Sequence, residues 1–395
     1  MPESTRFHSD PESAGLSPEK LAALFDRAGR EVREGLLPSV QIAVARHGKV
    51  AAMRTFGRAP FEGREREATD DTLYTIFSCT KAITSAAAWL LLQEGKLDLA
   101  ERVGDILPEF ETNGKDVVTV EQLLLHTAGF PSAPSGPRDW ATREALRDRF
   151  ARWRLNWEPG SRFEYHPSSS MWVVAVIVEE RTGQAFGDFV RTRIAGPLGL
   201  SDFFVGTPRE HHRRIADLVH VGTALTPEDF AKRGWPVPPE TEVTEEAVMR
   251  FNEAAVREVG VPGGGGVATA ADLALFYQGL QSGCGPDGNE VFSRATLGRA
   301  LEVRSGDLVD PVFGKRVHRA LGVCVAGDED RVYRGFGRTG SEHMFGHNGA
   351  GGQIAWADPE SGISLAYCTN GFDRDPIRLA RRGVAISSRA ADLLG

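Results

Sequence analysis

Cysteine is scarce in this sequence. Four cysteines occur among 395 residues, and no two of them form a C-x-x-C pair; they are Cys79, Cys284, Cys324 and Cys368. Zinc knuckles and disulfide frameworks need cysteines at short, regular spacings, so neither is expected here. Isolated cysteines are usually buried and behave as small apolar groups. We therefore expect free thiols, most of them in the core.

Long apolar runs and basic clusters are also missing. No stretch approaches the roughly 18 apolar residues that span a membrane, and the polar N-terminus carries no apolar signal core. The formal charge is −8, and no cluster of Lys and Arg is present that would follow a phosphate backbone. We expect a cytoplasmic protein whose partner is a small molecule, without membrane or nucleic-acid binding.

Hydrophobic residues make up 41% of the chain, and their spacing predicts both helices and strands. Ser17-Pro18-Glu19 opens a helix with a capping hydroxyl and a proline in the first turn. Two apolar runs around a Gly-containing turn predict a β-hairpin over residues 39–56. Further helices are predicted at 79–94, 172–180, 186–194, 270–280 and 376–394. Further strands are predicted at 332–338, 344–349, 353–357 and 363–368.

The order of these elements, sheet then helices then sheet, predicts an α/β layer built from both ends of the chain. We expect a sheet domain formed by residues 15–68 and 264–395. A mainly helical domain would occupy residues 69–263. Within it, residues 206–262 are rich in prolines and charges, and we predict a lid or substrate-facing insertion there.

Ser78 and Lys81 carry the first chemical signal. Ser78 opens a predicted helix, so its side chain lies near the positive end of the helix dipole. Lys81 returns to the same face, about 5–6 Å away between Cβ atoms. A neutral lysine there can take the serine proton and create a nucleophile. The spacing alone is weak evidence, because Ser17 and Lys20 share it at a plain helix start.

Other motifs point away from common alternatives. There is no G-x-S-x-G element of the kind that carries the nucleophile of α/β-hydrolases. The four glycines from Gly263 to Gly266 lack the context of a phosphate-binding loop. A tight turn beside the sheet explains them better.

Four further stretches complete a pattern with Ser78–Lys81. They are His126-Thr127-Ala128-Gly129, residues 158–167 around Tyr165, residues 263–272, and Phe345-Gly346-His347-Asn348-Gly349-Ala350-Gly351-Gly352. Together and in this order they resemble the serine β-lactamase and penicillin-binding-protein superfamily. The resemblance extends over nearly the whole chain and is nearest to the branch of class C β-lactamases, D-alanyl-D-alanine carboxypeptidases and related carboxylesterases. It implies an antiparallel sheet flanked by helices, with an inserted mainly helical region, and no cofactor.

The resemblance also implies roles. Ser78 matches the acylated nucleophile, Lys81 the lysine of S-x-x-K, and Tyr165 the tyrosine of Y-x-N. We expect the Lys81 cation to make the Tyr165 phenol ionise more easily. The backbone N–H groups of Ser78 and Ala350 would form the oxyanion hole. His347, Asn348 and Gly349 match the substrate-binding K-T-G strand. Arg338-Thr339-Gly340 mimics the same motif, but it lacks the small residues that follow Gly349.

Two departures from the family pattern bear on the substrate. Pro167 stands where β-lactamases have Asn, so a side-chain amide that binds acylamino groups is lost. His347 stands where K-T-G enzymes have Lys, and a mostly neutral histidine holds a substrate carboxylate poorly near pH 7. Both changes favour a neutral ester over an anionic peptide or penicillin.

We therefore expect a serine hydrolase that cleaves carboxylic esters. A β-lactamase, a D-amino-acid peptidase or amidase, and an acyltransferase remain open, as does an inactive relative that binds a ligand. His126 is expected to shape a turn under the site, whereas His166 has no assigned side. Trp153, Trp157 and Trp235 either line an acyl pocket or pack in the core.

Overall fold

The computed structural model describes residues 6–8, 10–234, 237 and 244–395. The helices are α1 (Pro18–Arg33), α2 (Thr80–Gln93), α3 (Val103–Ile106), α4 (Val120–Leu124), α5 (Pro137–Trp140), α6 (Arg143–Arg152), α7 (Ser169–Thr182), α8 (Phe186–Val190), α9 (Pro227–Lys232), α10 (Glu245–Met249), α11 (Ala254–Val259), α12 (Ala270–Ser282), α13 (Arg294–Leu301) and α14 (Pro376–Ala391). The strands are β1 (Ser39–Arg46), β2 (Lys49–Phe61), β3 (Arg64–Glu67), β4 (Tyr74–Thr75), β5 (Phe203–Val205), β6 (Val219–Val221), β7 (Gly266–Ala268), β8 (Val309–Asp310), β9 (Lys315–Arg316), β10 (Cys324–Val325), β11 (Phe345–Gly346), β12 (Ile354–Asp358), β13 (Ile363–Thr369) and β14 (Gly371–Asp373).

The main sheet joins the two ends of the chain. Its seven strands follow the order β10-β11-β12-β13-β1-β2-β3, and each neighbouring pair is antiparallel. The junction is the pairing of β1 with β13, which places Ile42 opposite Tyr367. The predicted antiparallel sheet built from both ends is therefore confirmed.

Helices cover both faces of this sheet. Along β1, Val40, Ile42 and Val44 share a buried cluster with apolar residues of α1 and α14. Ala43 and Ala45 belong to a second cluster with α2, α7 and α12. This alternation follows from the two-residue period of a strand. Because each face is buried, a one-residue slip of register would move both sets of side chains to the wrong core.

Helix α2, which follows the candidate nucleophile, lies inside the second cluster. Its residues are buried from Thr80 to Leu91, as expected for a helix that is apolar on all sides. The indole of Trp89 donates to the carbonyl of Leu321 over 3.1 Å. Burial along its length and this bond hold α2 in the core, and the turn that carries Ser78 immediately precedes its first residue.

Two strand predictions need correction. Residues 332–338 were expected to be extended, but Glu329–Arg334 forms a 3₁₀ helix. Local hydrogen bonds cause this: Asp328 accepts from the backbone of Asp330, and the Arg334 guanidinium binds the same carboxylate at 2.7 Å. Of residues 344–349, only Phe345–Gly346 forms a regular strand, although the N–H groups of His347 and Gly349 still donate to the carbonyls of Ala355 and Gln353 at 3.0 and 2.8 Å.

Residues 206–262 contain short described elements, among them β6, α9, α10 and α11. Trp235 and the adjoining residues 236 and 238–243 lie outside the described part. The lid predicted for residues 206–262 and the predicted domain boundaries both stay predictions. In the described residues, no helix is long and apolar enough to cross a membrane. All four cysteines are free thiols, and three of them are buried.

Candidate active site

Ser78 lies on a tight turn at the start of α2. The turn is a 3₁₀ helix, Phe77–Cys79, and Phe77 has a φ of 43°, in the left-handed region that non-glycine residues rarely adopt. The Thr80 hydroxyl donates to the Phe77 carbonyl over 2.5 Å and accepts from the Gly266 N–H over 2.8 Å. These bonds tie the strained turn to β7 and expose the Ser78 side chain to a cavity.

Lys81 is fully buried next to Ser78. Its Nζ lies 3.1 Å from Ser78 Oγ, 2.6 Å from the Pro167 carbonyl oxygen and 2.7 Å from the Gly263 carbonyl oxygen. Pro167 lacks a side-chain amide, yet its backbone carbonyl binds the lysine directly. The Gly263 turn packs against the same amine: a Cβ on Gly263 would lie 2.8 Å from the Pro167 oxygen. The glycine run thus forms the tight turn that the sequence predicted.

Tyr165 approaches the same serine from the opposite segment. Tyr165 and Ser78 line the same cavity, the Ser78 side chain acts to lower the pKa of Tyr165, and Lys81 Nζ lies 5.0 Å from the centre of the phenol ring. Burial raises the pKa of Tyr165 well above its ordinary value, although Arg319 and the Ser78 side chain act in the opposite direction. Burial thus outweighs the groups that favour ionisation of this phenol, and the expected effect of Lys81 on it stays a prediction. Tyr165 is a protonated phenol at neutral pH.

The two residues expected to form the oxyanion hole lie at the cavity beside Ser78. Ser78 and Ala350 both line it. Within the described part of the chain, no backbone hydrogen bond uses the N–H of either residue. Both donors are available for a developing negative charge, so their oxyanion role stays a prediction with suitable geometry.

Two histidines hold the Tyr165 segment in place. His166 Nδ1 donates to the Glu164 carbonyl over 2.6 Å, and its Nε2 accepts from the Phe130 N–H over 3.2 Å. Burial lowers the pKa of His166 to about 3. His126 Nδ1 accepts from the His166 N–H over 3.1 Å, and its ring lies 4.8 Å from that of Tyr165. Both rings are neutral supports, which agrees with the expected turn-shaping role of His126.

The stretch His347-Asn348-Gly349 lies beside Tyr165. The His347 ring is 5.9 Å from the Tyr165 ring, and burial lowers the pKa of His347 well below its usual value. The Asn348 amide donates to the Gly335 carbonyl over 2.7 Å, and the Gly349 N–H donates to the Gln353 carbonyl over 2.8 Å. A substrate-binding role for these three residues stays a prediction.

The competing stretch Arg338-Thr339-Gly340 lies elsewhere. The Arg338 N–H donates to the Ser388 hydroxyl over 2.9 Å, and the Thr339 hydroxyl donates to the Ser388 carbonyl over 2.5 Å. These bonds anchor it on α14. Its rank below His347-Asn348-Gly349 as the substrate-binding stretch stays a prediction.

Arg319 is a site residue that the sequence did not reveal. Its guanidinium carbon lies 5.4 Å from the centre of the Tyr165 ring and 5.6 Å from that of Phe163. It precedes β10 by five positions and belongs to no recognised motif. The local sequence shows only that Arg319 is a charged residue in the mainly apolar segment 317–326. It does not indicate that Arg319 contacts Tyr165.

The cavity beside Ser78 has a volume of about 230 Å³ and a mostly apolar wall. Its described lining includes Ser78, Tyr165 and Ala350 together with Phe77, Trp140, Val248, Phe251, Val256 and Val261. Trp140 is thus the tryptophan of the cavity. Trp153 is buried in the core cluster instead, with its indole bonded to the Pro134 carbonyl at 2.9 Å.

Known proteins are similar to this chain over the same span that contains these motifs. A model of the family described as Beta-lactamase matches residues 22–388. The chain is 35% identical over 295 residues to esterase EstB of Burkholderia gladioli, which covers 67% of this chain and 71% of that protein. It is 26% identical over 322 residues to the esterase/beta-lactamase LipL of Mycobacterium tuberculosis, covering 76% and 70%. A penicillin-binding-protein homologue from Caulobacter crescentus superimposes with a TM-score of 0.78 at 28% identity, covering 95% and 98%.

Proposed function

From the premise that the chain belongs to the Beta-lactamase family and is a serine hydrolase, we propose that it cleaves carboxylic esters through an acyl-enzyme on Ser78. Lys81 and Tyr165 share the general-base and general-acid roles. One observation carries the proposal: the Lys81 amine lies 3.1 Å from the Ser78 hydroxyl, and the Tyr165 ring lies 5.0 Å from that amine and lines the same cavity as Ser78. Acyl transfer by an activated serine needs such contacts.

Lys81 is the base for acylation. A neutral lysine has two N–H donors and one lone pair. The two carbonyls, of Pro167 and Gly263, accept the two donors. In the structure Nζ donates to Ser78 Oγ over 3.1 Å. In the neutral lysine the lone pair takes the place of that donor and accepts the Ser78 proton as Oγ attacks the ester carbonyl. Positioning of this kind supports an acceleration of about 10²–10⁴-fold from general base catalysis.

Tyr165 is the acid for the leaving group. As the tetrahedral intermediate collapses, the phenol gives its proton to the departing alkoxide and becomes a phenolate. The acyl group is then on Ser78, Lys81 is an ammonium, and the alcohol leaves neutral. The raised pKa of Tyr165 keeps the proton on the phenol until this step.

Deacylation reverses the proton transfers. The Tyr165 phenolate takes a proton from water, which attacks the acyl carbonyl. The Lys81 ammonium returns a proton to Ser78 Oγ as the acid leaves. In both half-reactions the N–H groups of Ser78 and Ala350 hold the oxyanion, and each such donor stabilises the transition state by about 2.7–4 kcal/mol.

An ester is the preferred substrate because the motif positions offer little for an anionic peptide, and the arginine in the cavity lining, Arg250, is paired with Glu253 at 3.0 Å. Pro167 supplies no side-chain amide, and burial keeps His347 neutral. The wall facing Ser78 is mainly apolar, which suits an acyl chain. The relative EstB, by its name an esterase, adds support.

The test compares wild type with Ser78→Ala on short-chain p-nitrophenyl esters and on nitrocefin. We expect ester hydrolysis by wild type, none above background by the variant, and slow nitrocefin turnover. Faster turnover of nitrocefin would instead favour a lactam or amide substrate, which the name of LipL also allows. Equal ester rates for wild type and variant would refute the proposal and favour an inactive, ligand-binding relative.

A further inference from the structure

Arg319 brings a buried positive charge to the catalytic phenol. It lies between β9 and β10 and is only 9% exposed. Its guanidinium contacts the rings of Tyr165 and Phe163 at 5.4 and 5.6 Å. Cation–ring contacts at this range are attractive, and most strongly so when both groups are desolvated.

The charge of Arg319 is not neutralised by an acid. Among the residues that the structure describes, no carboxylate lies within ion-pair distance of it, and its buried Nη1 has no hydrogen-bond partner. Other buried arginines differ: Arg382 pairs with two carboxylates, and Arg257 pairs with Asp217 at 2.9 Å. Burying a lone guanidinium is unfavourable by several kcal/mol. The electrostatic field of the Arg319 charge is therefore not offset by a nearby carboxylate of the described residues, and it acts on the groups around the guanidinium.

The other ionisable groups around Tyr165 do not supply a permanent cation. Burial, with a further contribution from Arg319, lowers the pKa values of His126 and His347 well below the usual range, so both rings are neutral. The remaining ionisable neighbours are the Lys81 amine at 5.0 Å and the thiols Cys79 and Cys324. His347 occupies the place of the K-T-G lysine, which leaves Arg319 as the fixed charge next to the phenol.

We propose that Arg319 is a positioning residue that stabilises the phenolate formed when Tyr165 gives its proton to the leaving group. This inference rests on the proposed function. In that step the O–H bond of Tyr165 breaks, its electron pair stays on the phenolate oxygen, and the proton bonds to the departing alkoxide. Arg319 keeps all its protons throughout. It acts through Tyr165, since the described lining of the cavity does not include it.

The test measures kcat for an ethyl ester and a p-nitrophenyl ester of the same short acid. The p-nitrophenolate group leaves without a proton, whereas ethoxide needs one. In Arg319→Met we expect kcat for the ethyl ester to fall about 10- to 100-fold, because a cation within 4–6 Å shifts an acid by one to three pKa units. The acylation rate with the p-nitrophenyl ester, measured from the burst of p-nitrophenolate, should fall much less, because acylation by this ester needs no proton from Tyr165. Arg319→Lys should restore part of the ethyl-ester rate.

A double-mutant cycle identifies the route of the effect. Adding Arg319→Met to Tyr165→Phe should cause no further loss if the arginine acts through the phenol. Arg319→Met should also unfold at the same urea concentration as wild type or a higher one, since it removes an unpaired buried charge.

The outcomes separate this inference from the proposed function. Equal losses on both esters, or losses that multiply in the Tyr165→Phe background, would overturn the inference alone. An unchanged ethyl-ester rate in Arg319→Met would do the same. A wild type that hydrolyses neither ester would overturn the proposed function, and the inference with it.

Discussion

Replacing Tyr165 by Phe removes one oxygen atom from the site and leaves its packing in place. The ring would keep its neighbours, His126 at 4.8 Å and His347 at 5.9 Å. The lost hydroxyl is the ionisable group of Tyr165, whose pKa the Ser78 side chain acts to lower. This variant therefore tests the acid and base role of the phenol with little effect on the fold.

The expected loss depends on the leaving group. General acid or base catalysis contributes about 10²–10⁴-fold, which corresponds to about 3–5.5 kcal/mol of transition-state stabilisation. For an alkyl ester both half-reactions need Tyr165, so kcat should fall by this full range. For a p-nitrophenyl ester the acylation step needs no proton donor, and only deacylation should slow to that extent.

The assay is a pre-steady-state measurement of p-nitrophenolate release combined with intact-mass spectrometry. Tyr165→Phe should give a burst of product followed by slow turnover, while the acylated protein accumulates. Tyr333→Phe is the matched control, because Tyr333 is 49% exposed and makes the same chemical change on the surface. A variant that loses alkyl-ester and aryl-ester rates equally, without a burst, would refute the assigned role of Tyr165.

Three further predictions follow from other parts of the structure. Gly263→Ala would place a Cβ 2.8 Å from a backbone oxygen that binds Lys81; displacement of about 1 Å should lower kcat about 10²-fold. Gly298→Ala, which meets no atom within 4 Å, should keep full activity, and equal rates for the two variants would contradict this. Burial lowers the pKa of His166 from 6.5 to about 3, so the unfolded chain binds more protons between these pH values and stability should fall as the pH decreases through them, by about 1.4 kcal/mol per unit. Urea unfolding of His166→Gln should show a shallower pH dependence than wild type, and identical slopes would exclude this cause. Arg382→Met removes one arginine from each of two buried carboxylates, Glu31 and Asp373, which keep Arg27 and Arg378 as partners. It should lower the free energy of unfolding by about 1.5–3 kcal/mol, the contribution of hydrogen bonds to charged groups, and a loss below about 1 kcal/mol in urea titrations would contradict it.

The sequence predicted the parts of the site that depend on local geometry. Ser78 and Lys81 are three positions apart at a helix start, and this spacing brought their side chains to 3.1 Å. The pairing of β1 with β13 followed from the strands predicted at both ends of the chain. The turn at residues 263–266 followed from its glycines.

The remaining features depend on tertiary contacts without a sequence signature. The oxygens that bind Lys81 belong to the backbone of Pro167 and Gly263, and any residue carries such an oxygen. Arg319 reaches Tyr165 from a segment more than 150 positions away, so no local periodicity indicates it. The raised pKa of Tyr165 results from burial, which the neighbouring residues in the sequence do not determine.

The central claim is that Ser78 is acylated during turnover. Its most direct test is peptide-level mass spectrometry of protein quenched during hydrolysis of a short-chain p-nitrophenyl ester, with Tyr165→Phe used to trap the intermediate. We predict one acyl group per chain, located on the peptide that contains Ser78 and absent from Ser78→Ala. Turnover at full rate without an adduct, or an adduct on another residue, would contradict the account.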